Sequence, residues 1–174
     1  ALDVVQMDLK VCSTVSCRGN KYIVCIIDVK TQRSWAIPIA SNSAADMIRT
    51  FQHWRVQSIS NKKIGLLITD NEAWATSDEW CNAITNMQVP HRMCGAYMHN
   101  QNGHAEGQIR RATPLTSTYL GTSPYLGIEY WDYAFVHANE NLQHFVQRGE
   151  TLSPIEKWQD EFPKERIHTD TAYL

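Results

Sequence analysis

Two acidic residues, each placed at the end of a different kind of element, constrain this chain most. An apolar run, Ile64-Gly65-Leu66-Leu67-Ile68, stops at Thr69-Asp70-Asn71. Farther on, Asn100-Gln101-Asn102-Gly103-His104-Ala105-Glu106 leads into a segment carrying Arg110 and Arg111. The first pattern is a buried strand that ends in a carboxylate, and the second puts a carboxylate at the opening of a helix. A third acid, Asp8, lies in an earlier strand. The rest of the chain reads as a frame that brings these three together.

From Asp3 to Val11 the sequence alternates. Val5, Met7, Leu9 and Val11 take one face, and Gln6, Asp8 and Lys10 the other, as in a half-buried strand. Arg18-Gly19-Asn20 supplies a turn. Tyr22 to Val29 is a second strand, nearly all apolar, ending around Asp28. Ser34 to Ile39 is a third, and Pro38 marks it as an edge. Short links between the three predict an antiparallel meander. A helix follows, capped by Ser43, with Met47, Ile48, Phe51 and Trp54 as its apolar stripe. After the strand that ends at Asp70, Thr76-x-x-Glu79 reads as a capping box for a helix carrying Trp80, Ala83, Ile84 and Met87. Val89 to Met93 is a short strand and Cys94 to Gly103 a loop. The helix opened at Gly103 should end or kink at Pro114. Ser123-Pro124 predicts the start of another, whose face of Trp131, Ala134, Phe135, Ala138, Leu142 and Phe145 runs towards Gly149. Thr151 to Trp158 predicts a last short helix, and the tail after Phe162 is polar. The sum is an α/β fold with a mixed five-stranded sheet and helices on both faces. The order of strands is left open.

A chain of 174 residues predicts one domain with a sizeable core. Residues 1–147 are read as the core, and 148–174 as a C-terminal helix and tail of the same fragment. The first residue is Ala1 and not Met, as expected of a piece of a longer protein. No apolar run is long enough for a membrane span and none reads as a signal peptide. The net charge of −2 lacks the basic excess of an autonomous DNA-binding domain. Five scattered cysteines, Cys12, Cys17, Cys25, Cys81 and Cys94, fit reduced thiols inside a cell better than a disulfide frame.

With these elements placed, the sequence resembles the catalytic core of retroelement integrases, and among them the copia-type retrotransposon polyprotein. Gln6-Met7-Asp8 resembles the first acidic strand. Ile26-Ile27-Asp28 with Gln32-Arg33-Ser34-Trp35 resembles the next two strands. Thr69-Asp70-Asn71 resembles the second acidic motif, with Ser77-Asp78-Glu79-Trp80 in its following helix. Gln101-Asn102-Gly103-His104-Ala105-Glu106 resembles the third. Tyr130-Trp131-Asp132-Tyr133-Ala134 and Thr151-Leu152-Ser153-Pro154-Ile155-Glu156 resemble segments beyond the core. The chain departs from the pattern at Glu72 and Ala73, where the family has glycines, at Gly107, where it has Arg, and at Pro114.

The resemblance implies a ribonuclease H-like fold and a polynucleotidyl transferase that joins element DNA ends to target DNA. Asp8, Asp70 and Glu106 would be both catalytic residues and metal ligands. In-line phosphoryl transfer of this kind uses two divalent ions, Mg²⁺ or Mn²⁺, roughly 4 Å apart and held by carboxylates. The expected partners are element and target DNA and further copies of the chain, with no membrane. The expected location is the nucleus for integration, and a virus-like particle or the cytoplasm before it. Asn71 and Asn102 either orient a phosphate or a ligand carboxylate, or simply form turns. Gly103 allows close approach of backbone or DNA, a role compatible with the plainer one of a residue in the N-cap region of the helix. Arg110 and Arg111 are read as phosphate contacts, with Lys10 a candidate of the same kind; an ion pair between Arg110 and Glu106 is the plainer alternative. His91, Cys94, His99 and His104 match no strong zinc spacing. The six tryptophans are read as core. Two rival functions remain: a nuclease using water at the same site, and a domesticated, non-catalytic module that binds protein or DNA.

Overall fold

The structure is a computed structural model, and it describes residues 1–94 and 102–163. Strands β1 (Val5–Val11), β2 (Tyr22–Asp28) and β3 (Ser34–Ile39) form the expected antiparallel meander. Strands β4 (Leu67–Thr69) and β5 (His91–Met93) extend the sheet in parallel on the other side of β1. The strand order is β3-β2-β1-β4-β5, so β1 is central and Pro38 sits on an edge, where its missing N–H costs no ladder bond. Gly65 is required by the approach to β4: a Cβ there would lie 2.5 Å from the Asp3 carbonyl oxygen.

Helices cover both faces. α1 (Ala44–Gln57), α2 (Asp78–Asn86) and α5 (Pro154–Glu161) pack on the face of Val5, Met7, Leu9, Val24 and Ile26. Tryptophans dominate that core: Trp35 meets Trp54 and Trp158 edge-on at 5.3 and 5.2 Å, pairs worth about 0.5–1.5 kcal/mol each beyond area burial. α3 (Gly103–Thr122) and α4 (Trp131–Gln143) pack on the opposite face around Ile23, Ala36, Ala112, Trp131 and Phe135. All six tryptophans are buried, in keeping with the core reading. Among the described residues no helix is long and apolar enough to cross a membrane. The five cysteines are free thiols.

Several boundaries differ from those read in the sequence. β1 starts at Val5, and Val11, at its far end, is 60 % exposed because the sheet ends there. β5 starts at His91, after Val89 has turned into the core. α2 is capped by Ser77, whose Oγ accepts the Trp80 N–H at 3.2 Å; the Thr76 hydroxyl instead donates to the Ala73 carbonyl. α3 does not end at Pro114 but continues to Thr122. Pro114 points to solvent, so its ring and its missing N–H fall on the side away from the core. The opposite side, with Ala105, Gln108, Ala112 and Thr116, stays docked. Ser123 ends α3 rather than beginning a helix, and a loop and a single 3₁₀ turn (Ile128–Tyr130) precede α4. α4 stops at Gln143, leaving Phe145 beyond its last turn and 64 % exposed, while Gly149 takes φ +87° in a later turn. α5 begins at Pro154, not Thr151, because Ser153 and Glu156 form a reciprocal capping box. The loop reading over 95–101 and the tail reading over 164–174 lie outside the described residues.

Candidate active site

β1 and β4 run parallel with Val5 opposite Leu67, Gln6 opposite Ile68 and Met7 opposite Thr69. Asp70 is the first residue past β4, so one further step of that register would set it level with Asp8. Asp8 is half-buried, with Oδ1 accepting the Leu9 N–H at 2.9 Å. Asp70 Oδ1 accepts the Asn71 N–H at 2.8 Å. Glu106 arrives from the first turn of α3, where the helix dipole favours a carboxylate.

The start of α3 is tied to β1 by side-chain amides. Gln6 Oε1 accepts the backbone N–H groups of His104 at 3.0 Å and Ala105 at 3.3 Å. Asn102 Nδ2 donates to the Met7 carbonyl at 3.3 Å. Gln32, held at φ +63° in the β2–β3 turn, bonds the His104 ring at Nδ1. One helical turn on, Gln108 Nε2 reaches Asn139 of α4 at 2.8 Å. Gln6 and Gln32 stood in the motifs that carry the resemblance, but nothing in the sequence gave any of these glutamines a role at the start of α3. The one available signal was that Gln6 shares the polar face of β1 with Asp8.

The corner is negatively crowded. Asp8 is raised to about 6, first by burial and then by the charges of Glu106, Asp70 and Glu72, against the lowering effect of the Leu9 N–H. Cys94 feels the same field: its thiol is raised by burial, then by Asp70, Glu106 and Asp8, against Arg92. Glu72, which stands where the resembled family has glycine, therefore adds a fourth acid. Oxygen donors and like-charge crowding are the chemistry a hard divalent cation fits. Among the described residues, however, no three His, Cys, Asp or Glu side chains converge into a set that could hold a metal ion. The corner is thus acidic but not closed.

The remaining candidates separate. Asn71 is exposed just beyond Asp70. Asn102 is 1 % exposed and spends its amide on Met7, so it supports the helix start and does not reach a phosphate. Gly103 is exposed, and a Cβ there would meet nothing within 4 Å, which leaves room for close approach. Arg110 is exposed and, among the described residues, makes no ion pair with Glu106. Arg111 is half-buried and donates from Nη2 to Gln108 Oε1 at 2.7 Å. Both arginines border an open cleft of about 630 Å³ with Lys30, His104 and Gly107. Lys10 lines a different cleft, of about 310 Å³, with Cys12, Thr113 and Trp131. The zinc candidates do not assemble: His91 bonds the Thr69 hydroxyl at 2.8 Å, His104 bonds Gln32, and His99 lies outside the described residues.

No protein-family model matches the sequence, and no curated protein matches it. Solved structures do. The catalytic core domain of BIV integrase superposes with a TM-score of 0.70 at 16% identity, over 95% of this chain and 100% of that one. The fold is that of a retroviral integrase catalytic core. The HTLV-2 integrase catalytic core domain, in complex with magnesium and in a trimeric form, gives 0.68 at 17% identity, over 88% of this chain and 93% of that one. A chain of the simian T-cell lymphotropic virus intasome, in complex with PP2A regulatory subunit B56 gamma, gives 0.72 at 17% identity and covers 94% of this chain. This chain spans only 55% of that one. The α/β integrase-core fold is the expected ribonuclease H-like class, with its five-stranded mixed sheet between helices.

Proposed function

We propose that this chain is the catalytic core of a retroelement integrase of the copia type, a metal-dependent polynucleotidyl transferase that joins element DNA 3′ ends to target DNA. The observation that supports it most is geometric: the β1–β4 register runs Asp8 towards Asp70, and the start of α3, with Glu106 in its first turn, is tied to β1 through Gln6, in a sheet of integrase-core fold. Asp8, Asp70 and Glu106 would hold Mg²⁺ or Mn²⁺, two ions in the full site. Bound there, the ions would supply charge stabilisation at the phosphate and an activated hydroxyl. The chain's own residues do the rest. Asp8 sheds its proton at neutral pH. The exposed Arg110 screens a phosphate of the incoming strand, and Gly103 lets the backbone of DNA come close. In strand transfer the 3′-hydroxyl oxygen of the element end bonds the target phosphorus, and the target's own 3′ oxygen leaves. No side-chain general base is required.

The HTLV-2 core is in a trimeric form and the simian protein belongs to an intasome. We carry over to this chain that it works on DNA as an oligomer, in the nucleus, after a virus-like particle or cytoplasmic stage. One observation favours a second reading, a domesticated module without catalysis: the three carboxylates do not converge into a metal-holding set. Strand transfer with Mg²⁺ or Mn²⁺, run on this chain and its Asp70→Asn variant, decides between them. Joined product that vanishes in the variant supports the integrase. Cleavage without joining supports a nuclease. DNA binding with neither, at every metal concentration, supports the non-catalytic module.

A further inference from the structure

Gln6 is 4 % exposed and lies two residues before Asp8 on the same face of β1. The N–H groups it accepts, from His104 and Ala105, are those of the second and third helical positions of α3. A helix normally satisfies these donors with the side chain of its own N-cap residue. Here the N-cap residue, Asn102, makes no such bond. Its Nδ2 turns to Met7, and its Oδ1 is buried without a partner among the described residues. The cap is supplied instead from the central strand, and Glu106 is the next residue along the helix. A neutral amide is the side chain that can do this without adding a charge beside Asp8, Asp70, Glu72 and Glu106. We propose that Gln6 is a positioning residue: by capping α3 from within the sheet it sets where Glu106 stands relative to Asp8. This rests on reading those carboxylates as the site.

Gln6→Met keeps the length and removes the acceptor. Gln6→Glu keeps the acceptor, and Gln6→Asn, a milder truncation, serves if the Met variant does not fold. Amide hydrogen exchange is measured residue by residue on the full chain, and Mn²⁺ is titrated against melting temperature. With Gln6→Met, exchange at His104 and Ala105 should speed up by about tenfold while Met7 and Leu9 hold steady. The Mn²⁺ midpoint should rise roughly tenfold, as for other side chains that orient ligands. Gln6→Glu should restore amide protection. Unchanged exchange at His104 and Ala105 overturns the proposal. So does lost protection with a Mn²⁺ midpoint within about twofold of wild type, since the cap is then only structural. A wild-type chain with no Mn²⁺ response sinks the proposed function instead. The positioning claim is then read from the Glu106 amide and carboxyl resonances, which must shift in Gln6→Met for it to stand.

Discussion

Replacing Asp8 by Asn should stabilise the metal-free protein, and only above a definite pH. An ordinary aspartate titrates near about 3.9, and each unit of displacement is about 1.4 kcal/mol. Asp8 is held at about 6, so once ionised it burdens the folded chain by an amount on the order of 3 kcal/mol. Partial solvent access to this half-buried carboxylate reduces that to roughly 1–3 kcal/mol. Asn keeps an oxygen for the Leu9 N–H, so the bond at 2.9 Å survives. The folded state binds the Asp8 proton more tightly than the unfolded state does. Stability is therefore lost as pH rises between about 4 and 6, and the loss is complete above that window. Urea melts of both proteins should coincide at about pH 4, diverge through the window and differ by roughly 1–3 kcal/mol at about pH 7.5. In a chain of this size that is a gain of about 3–9 °C in melting temperature. Saturating Mg²⁺ or Mn²⁺ should reverse the order by stabilising only the wild type. A difference that is the same at both pH values, or an Asn variant that is the weaker one near neutrality, would refute the argument that burial and neighbouring charge make the ionised Asp8 costly.

Three further outcomes follow from the same geometry. Asp70→Asn should melt within about 1 kcal/mol of wild type without metal, since its oxygen still accepts from Asn71, and should lose both the metal-induced shift and strand transfer; equal metal shifts in the two proteins would remove Asp70 from the site. Pro114→Ala should stabilise the chain by about 1–3 kcal/mol in urea, because the position is exposed within a continuing helix; a loss of stability would show that α3 needs its proline. DNA binding by the isolated chain should be weak and fall with salt, and Arg110→Ala should flatten the slope of log affinity against log salt by about one, measured by fluorescence anisotropy across a salt series; an unchanged slope would exclude a phosphate contact there.

What the sequence made legible were the local signals. Pro38 announced an edge strand, the alternation around Asp8 announced a half-buried one, and Ser43 announced the start of α1, because each signal is settled by its own neighbours. Ser123-Pro124 carried an equally good helix-start signal and was overruled by tertiary context, since the chain must turn at the end of α3 before α4 can pack. Thr76 and Ser77 both offered hydroxyls, and only the backbone path past Trp74 decides which one caps. The strand order was not readable, because a parallel pairing such as Met7 with Thr69 leaves no local trace. The three acids could be picked out as candidates by their setting. The amides that hold the third one in place could not, because Gln6 and α3 meet only in the folded molecule.

The sheet is built in two unequal halves. β1, β2 and β3 are joined by short connections, whereas β4 and β5 contribute three residues each and are reached through helices. Pairings close in sequence form early and distant ones late. Contact order thus predicts that Asp8 lies in the part of the molecule that assembles first, and that Asp70 and Glu106 join it later. Contact order therefore predicts that the mutual repulsion of the acids slows folding little and chiefly speeds unfolding, which stopped-flow rates of Asp8→Asn against wild type would show. Until α3 docks, the meander carries Asp8 without Glu106 beside it, and the acidic corner is complete only in the finished molecule.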